Sequence, residues 1–113
     1  AAYTTAAANA GSVDKLLRRA IRGKRLVSLM YDGLPRIGEP HDYGLRKGKD
    51  QLNFYQTAGA SKTGRLPSWR TLDARGISDI KLLERGFGGT RATRTQRHLD
   101  WQEVYASVTL PVR

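Results

Sequence analysis

The sequence predicts a mainly β protein of the α+β class, in which an N-terminal helix precedes a small five-stranded barrel and a C-terminal helical tail. Short runs of alternating apolar and polar residues recur between residues 25 and 84, and turn residues separate them. This pattern is typical of strands. Strands at such regular spacing favour a closed barrel, because closure removes exposed sheet edges. Apolar residues at helical spacing flank the strands at both ends.

The N-terminal helix is predicted over residues 12–23. Ser12 is a capping residue, Asp14 places an acid in the first turn, and Gly23 closes the segment after an arginine. One side of the segment is apolar and the other is basic. We expect a helix of about ten residues that docks on the strands, because so short a helix is marginal alone.

Five extended segments follow the helix. The first ends at Asp32-Gly33, a dipeptide typical of a tight hairpin turn. The second contains Pro40, which cannot donate to a ladder and indicates a bulge or a sheet edge. The fifth favours a strand, although its spacing also fits a short helix. The predicted strands are residues 25–31, 35–45, 51–57, 68–73 and 77–84.

The C-terminal part changes character after Phe87. A stretch rich in glycine, threonine and arginine predicts a flexible basic linker. Trp101, Val104, Tyr105 and Val108 then recur at helical spacing, which predicts a short helix that folds back or docks on a neighbouring molecule. The expected organisation is residues 1–12 as a disordered or tag-derived segment, residues 13–87 as the domain, residues 88–97 as the linker and residues 98–113 as the tail.

The charge balance is strongly basic. Twenty Lys and Arg residues against ten Asp and Glu residues give a net charge of +10, and fourteen of the cations are Arg. Such a charge favours polyanionic partners, although solubility alone explains it equally well. The chain has no cysteine, which excludes disulfides and a thiolate nucleophile. No apolar run approaches the roughly 20 residues of a membrane span, so we expect a cytoplasmic protein with no membrane partner.

Candidate catalytic and metal motifs are weak. Residues 59–65 resemble a phosphate-binding P-loop, but Arg65 follows the second glycine where that motif requires Lys and then Ser or Thr. The two histidines, His41 and His98, each have a nearby acid but no spaced second pair of metal ligands. No serine has a histidine beside it in the sequence. We therefore expect no enzyme, no metal and no cofactor.

Several residues occur in the order found in one known family. Ala20-Ile21 ends the predicted helix, Tyr31 ends the first strand, and Arg36 and Pro40 lie on the second. The closing segment is residues 70–77. In this order the chain resembles a divergent, short WYL domain protein of bacteria or phages, without the helix-turn-helix that precedes such domains in transcription regulators. It departs from the family in Asp50-Gln51-Leu52, Leu72 and Gly76, which replace the Trp-Tyr-Leu tripeptide, a Phe and a basic residue.

The resemblance implies an Sm-like barrel that senses nucleic acids or nucleotide-like ligands through a basic and aromatic groove. Arg36, Pro40 and Arg70 match the family's pattern directly, and neighbouring basic or aromatic residues join them by residue type. Bases stack on ring faces while guanidiniums neutralise phosphate, which favours single-stranded nucleic acid. For any one of Tyr31, Phe54 and Tyr55, filling the core is favoured over contact with the ligand. The predicted ligand-binding residues are Arg36, Pro40, His41, Tyr43, Arg46, Tyr55, Trp69, Arg70 and Arg75.

The leading prediction is therefore a non-enzymatic binding or sensing module, regulatory in role, for nucleic acid or a nucleotide ligand. The alternative is a protein-interaction module in which the C-terminal tail mediates homo-oligomerisation. Its motivation is the aromatic tail, because large aromatic side chains are costly to leave in water.

Overall fold

A computed structural model describes residues 6–60, 65–89 and 100–108 of the chain. These residues form one α-helix, one short 3-10 helix and six strands. Hairpins join the first three strands, and the 3-10 helix joins the fourth to the fifth. In chain order the elements are α1 (Ala6–Gly23), β1 (Arg25–Tyr31), β2 (Leu34–Arg46), β3 (Lys49–Gly59), β4 (Ser68–Asp73), the 3-10 helix (Ala74–Gly76), β5 (Ile77–Gly86) and β6 (Glu103–Ser107).

The strands form one antiparallel sheet in the order β4-β3-β2-β1-β5, and β6 pairs with β2. The sheet is open, so the prediction of a closed five-stranded barrel is wrong. Among the described residues, β4 and β5 lie at opposite ends of the order and do not pair. Alternation reports which residues are extended, but it carries no information on whether the first and last strands hydrogen-bond to each other.

The predicted helix start at Ser12 is also wrong, because α1 begins at Ala6 and Ser12 lies inside it. Alanine has the highest intrinsic helix propensity, and residues 6–8 and 10 are alanine. A helix of 18 residues therefore replaces the shorter one that the capping pattern indicated. Within the described part of the chain, no helix combines the length and the apolar character needed to cross a membrane.

The predicted C-terminal helix is a strand. β6 pairs with β2 from Asp42↔Ser107 to Leu45↔Glu103. The pairing of β1 with β2 reaches only to Gly38, so β6 occupies the part of this edge that β1 does not cover. The uncovered groups of β2 need hydrogen-bond partners, and β6 supplies them. Gly44 permits this approach, because a Cβ atom there would collide with the Glu103 backbone. A short apolar run is compatible with a helix or a strand, and the hydrogen bonding of β6 to β2 stabilises the strand.

The core lies between α1 and one face of the sheet, which we call the inner face. Val13, Leu17, Ala20 and Ile21 of α1 are buried there. The sheet contributes apolar side chains that the strand register places on the same face. These are Val27, Leu29, Leu52, Phe54 and Leu72, each at most 2% exposed.

Four segments lie outside the described residues. They are residues 1–5, 61–64, 90–99 and 109–113. Most of the predicted linker, the centre of the loop that resembles a P-loop, and both ends of the predicted tail fall within them.

Candidate functional site

The predicted ligand-binding residues lie on both faces of the sheet. Paired residues of an antiparallel sheet share a face, and neighbours along a strand point to opposite faces. Arg70 pairs with buried Phe54 and therefore lies on the inner face, whereas Trp69 pairs with Tyr55 on the other face, which we call the outer face. Arg36 and Arg70 thus do not share a surface with Tyr55 and Trp69. On the inner face are Arg36, Pro40, Tyr43 and Arg70, and on the outer face are His41, Tyr55 and Trp69.

Four polar residues of β2, β3 and β4 lie close together at one end of the inner face. We call Arg36, Gln56, Ser68 and Arg70 the inner-face cluster. The Arg36 Nη1 atom donates to Gln56 Oε1 over 3.3 Å, and Gln56 pairs with Ser68 across β3 and β4. Arg70 follows on the same face of β4, opposite Phe54. The cluster therefore forms a polar end to an otherwise apolar layer.

Arg36 is the most unusual member of the cluster. It is only 6% exposed, yet within residues 6–60, 65–89 and 100–108 no carboxylate lies within ion-pair distance of it. Its Nε atom is buried and has no hydrogen-bond partner among those residues, and the same holds for Ser68 Oγ. Buried guanidiniums are normally paired, because an uncompensated buried charge is costly.

Gln56 positions the Arg36 side chain, and the sequence reasoning missed it. Gln56 is fully buried, and its Nε2 atom donates to the carbonyl oxygens of Ala58 (3.1 Å) and Ala60 (2.8 Å). These bonds leave Oε1 facing Arg36. The available signal was an amide two residues after Phe54, which strand alternation places on the same buried face.

Tyr31 is a second residue that the sequence reasoning did not place in the site. The Arg36 guanidinium carbon lies 5.3 Å from the centroid of the Tyr31 ring, within cation–π range. The Tyr31 hydroxyl accepts a hydrogen bond from the Asp73 N–H over 3.1 Å. A Cβ atom at Gly76 would lie 2.9 Å from Tyr31 Cε1, so the glycine leaves room for this ring.

A depression of roughly 360 Å³ includes Arg36 in its lining. It lies at the β1–β2 hairpin and also borders Gly59, where β3 ends, and Lys81 of β5. The register pairs Ser28 with Ile37 and with Lys81, which places this depression on the outer face, whereas the Arg36 side chain lies on the inner face. The remaining lining residues are Ser28, Leu29, Met30, Pro35, Ile37 and Asp79.

The outer face carries an aromatic row that includes three of the predicted residues. The His41 ring meets Trp69 edge-on at 4.9 Å and stacks on Phe87 at 5.2 Å, and Trp69 lies 5.0 Å from Tyr55. His41 Nε2 lies 3.1 Å from Glu39 Oε1, and both side chains are buried. His41 is the extra residue of a β-bulge between Pro40 and Asp42, which agrees with the irregularity that Pro40 indicated. Only Tyr55 and Trp69 of this row are partly accessible among the predicted residues.

The other predicted residues have different surroundings. Pro40 is buried opposite Phe54. The Tyr43 hydroxyl donates to Asp14 Oδ1, and burial, followed by this bond, raises the pKa of Tyr43 well above its ordinary value. Arg46 donates to Gln51 Oε1 at the far end of β2, and Arg75 is exposed in the 3-10 helix. These four residues do not join the inner-face cluster.

Within the described residues, no three His, Cys, Asp or Glu side chains are close enough to hold a metal ion. The inner-face cluster contains no carboxylate and is rich in donors, which come from two guanidiniums and a hydroxyl. Donors of this kind suit an anion with several acceptor oxygens. No family model, curated protein or solved structure matches this chain, so the resemblance to WYL domains stays a prediction.

Proposed function

We propose that this chain is a non-enzymatic binding module for a phosphate-bearing ligand, either single-stranded nucleic acid or a nucleotide, and that Arg36 contacts the phosphate. One observation carries the proposal: a guanidinium that is 6% exposed lacks a carboxylate partner among the described residues and keeps an Nε donor without an acceptor. A binding role with a regulatory output is the reading that the WYL resemblance implies.

The free-energy argument concerns the cost of an unpaired buried cation. Removing a charge from water costs several kcal/mol unless partners compensate it, and the bond to neutral Gln56 and the contact with the Tyr31 ring compensate only part of this. An anion that reaches Arg36 would supply the missing acceptors. A planar guanidinium suits phosphate, because it can pair with two oxygens at once.

Neighbouring groups favour phosphate over a simple halide. Ser68 Oγ is a second buried donor without a partner among the described residues, and it lies on the same face as Arg36. Arg70 adds a second guanidinium on that face. Several oxygen acceptors spread over one ligand group, as on a phosphate, would satisfy Arg36 Nε and Ser68 Oγ together. The net charge of +10 further favours a polyanion.

Fluorescence anisotropy with a labelled single-stranded oligonucleotide tests the proposal, with a mononucleotide as competitor. We expect binding at low salt that weakens steeply as salt rises. Arg36→Met should weaken binding roughly tenfold to a hundredfold, since charge-assisted hydrogen bonds contribute about 1.5–3 kcal/mol. Arg36→Lys should restore part of this, because it keeps the charge and loses the fork.

Arg85→Met is the matched control. Arg85 is exposed on β5 and undergoes the same change of side chain and charge. Equal losses for the two Met variants would reduce the effect to net charge and overturn the role of Arg36. Failure of the unaltered chain to bind either probe at low salt would remove the proposed function.

Trp69→Ala tests the outer face separately. Base stacking on an aromatic side chain contributes about 1–3 kcal/mol per base. If the nucleic acid also crosses the outer face, this variant should bind the oligonucleotide less tightly while its affinity for the mononucleotide is unchanged. If Trp69→Ala binds each probe as tightly as the unaltered chain does, the ligand is restricted to the inner face.

Oligomerisation through the tail is the competing hypothesis. Its original motivation was an aromatic stripe without a partner, but Tyr105 packs against Tyr43 of the same chain, with ring centroids 5.1 Å apart. Light scattering at several protein concentrations distinguishes the two hypotheses. Concentration-dependent association that Val104→Ser abolishes would favour this alternative, since Val104 is the large apolar residue that β6 leaves 50% exposed.

A further inference from the structure

α1 has a basic stripe on the side opposite the core, which we define as Lys15, Arg18, Arg19 and Arg22. These positions fall within about a third of the helix circumference, because 3.6 residues make one turn. They line a shallow depression of roughly 620 Å³ together with Gly23. The inner-face cluster uses none of these residues.

Three of the four cations in the basic stripe lack an acidic partner within the described residues. Arg18 pairs with Asp14 over 3.1 Å, and its guanidinium also lies 4.9 Å from the centroid of the Tyr105 ring. Lys15, Arg19 and Arg22 are exposed and make no ion pair in that part of the chain. Asp14 is the single acid in the sequence of α1, and Arg18 and Tyr43 already engage it.

The helix dipole explains only part of this arrangement. A cation in the last turn stabilises the negative end of a helix, and Arg22 lies there. Lys15 and Arg19 precede the last turn, where the effect has fallen off. The dipole therefore does not account for their alignment with Arg22.

We propose that the basic stripe binds the phosphate backbone of a nucleic acid, as a second contact beside the Arg36 site; this inference rests on the proposed function. Lys15 and Arg22 are seven residues apart, which corresponds to about 10.5 Å along the helix axis. Phosphates of a single strand lie at least as far apart as the roughly 3.4 Å rise per nucleotide of a duplex strand, so the stripe can contact up to about three of them. A polymer can reach both the stripe and Arg36, whereas a mononucleotide cannot.

A nucleic acid fits this surface better than an anionic membrane does. A helix that lies on a membrane buries an apolar face in the lipid. The apolar residues of α1 instead pack against the sheet, and Val104, on β6, is the large apolar residue found exposed in the described part of the chain. The basic stripe thus offers charge without an accessible apolar neighbour.

The test compares two triple variants of the full chain that each remove three positive charges. The first is Lys15→Gln, Arg19→Gln and Arg22→Gln, which keeps good helix formers in α1. The matched control is Lys47→Gln, Lys49→Gln and Arg85→Gln, at exposed positions outside the basic stripe and the inner-face cluster. Anisotropy of a labelled oligonucleotide is measured over a salt series, and binding of a labelled mononucleotide is measured in parallel.

We expect the α1 variant to weaken oligonucleotide binding and to lower the slope of log affinity against log salt by about two, from roughly 0.7 per lost single-strand contact. The control should change the slope by less than one contact, and mononucleotide binding should be the same in all three proteins. Equal slopes for the two variants would overturn the proposal while the proposed function stands. The proposal would also be overturned if the chain bound anionic vesicles but not the oligonucleotide, and if the α1 variant lost this vesicle binding. Failure of the unaltered chain to bind either the oligonucleotide or the mononucleotide would instead remove the proposed function.

Discussion

The Tyr43 hydroxyl donates a hydrogen bond to Asp14 Oδ1 over 2.8 Å, and this contact joins β2 to α1. The Arg18 Nε atom donates to the same carboxylate, and the Arg18 guanidinium packs on the Tyr105 ring. One acid therefore connects the helix that carries the basic stripe to two strands. The position of α1 on the sheet depends on this acid as well as on apolar packing.

Tyr43→Phe should lower the free energy of unfolding by about 1.5 kcal/mol, the lower end for a bond to a charged acceptor, since Asp14 is partly exposed. The phenyl ring keeps the packing, so the loss reports the hydroxyl alone. Urea denaturation measures it. Tyr105→Phe serves as the comparison, because it removes the more exposed bond to Asp50 and should cost less. Equal stability of Tyr43→Phe and the unaltered chain would show that this bond contributes nothing.

Stability should fall as the pH rises above about 10. Burial, followed by the bond to Asp14, raises the pKa of Tyr43 above its ordinary value of 10.0, and the bond to Asp50 is the main cause that raises the pKa of Tyr105. Below pH 10 both hydroxyls are protonated in the folded and the unfolded chain. Above it the unfolded chain releases these protons first, so the free energy of unfolding decreases with pH.

Urea midpoints measured between about pH 8 and pH 11 test this dependence. Tyr43→Phe should show a shallower decline than the unaltered chain, because one of the two shifted groups is gone. Parallel declines would mean that Tyr43 does not carry the effect.

Arg36→Met should leave the melting temperature unchanged or raise it. Replacing a buried charge by an apolar side chain of similar volume is often neutral or stabilising. The expected result is a variant that folds at least as well but loses ligand affinity. Thermal unfolding monitored by circular dichroism measures it. A melting temperature many degrees lower would assign Arg36 a structural role instead.

Gly76→Ala should displace the Tyr31 ring and weaken ligand binding through Arg36. The new Cβ atom would lie 2.9 Å from Tyr31 Cε1, and overpacking of this kind costs about 1–3 kcal/mol. Gly88→Ala is the control, since a Cβ atom there meets nothing within 4 Å. Denaturation and anisotropy on both variants are the measurements. Identical behaviour of the two would show that the Tyr31 ring has room to move without consequence.

Gly44→Ala should detach β6 from β2, because the added methyl group meets the Glu103 backbone. The Gln102 and Val108 amides donate to Leu45 and His41 of β2 over 2.7 and 2.8 Å. Their hydrogen exchange should therefore accelerate, while amides of the β1–β2 pairing keep their protection. Unchanged exchange at both amides would contradict the pairing of β6.

The sequence was sufficient to locate the first five strands, because each follows a local rule. β1 and β4 have the predicted bounds, and β2, β3 and β5 extend beyond theirs by one or two residues at their ends. Closure of the sheet, the conversion of the tail to β6 and the start of α1 depend on other factors. Sheet closure and the strand β6 are set by pairing between distant segments. The start of α1 is set by the helix propensity of alanine, which outweighed the capping pattern at Ser12.

The site was less predictable than the fold. Strand alternation already implies that Trp69 and Arg70, as neighbours, point to opposite faces, and the same parity separates Arg36 from His41. A groove containing all four was therefore not compatible with regular strands. The partner of Arg36 could not be predicted from strand alternation. Gln56 becomes its neighbour only through the β2–β3 register, which includes a shift between Ile37 and Gly38.

The open sheet has a consequence for association between copies of the chain. Within residues 6–60, 65–89 and 100–108, the far edges of β4 and β5 have no strand beside them, and such edges are templates for aggregation. β5 carries exposed Asp79, Lys81, Glu84 and Arg85 along its length, and β4 has only six residues. A strand added to β5 would have to desolvate these charges, so they act as gatekeepers against amyloid-like stacking.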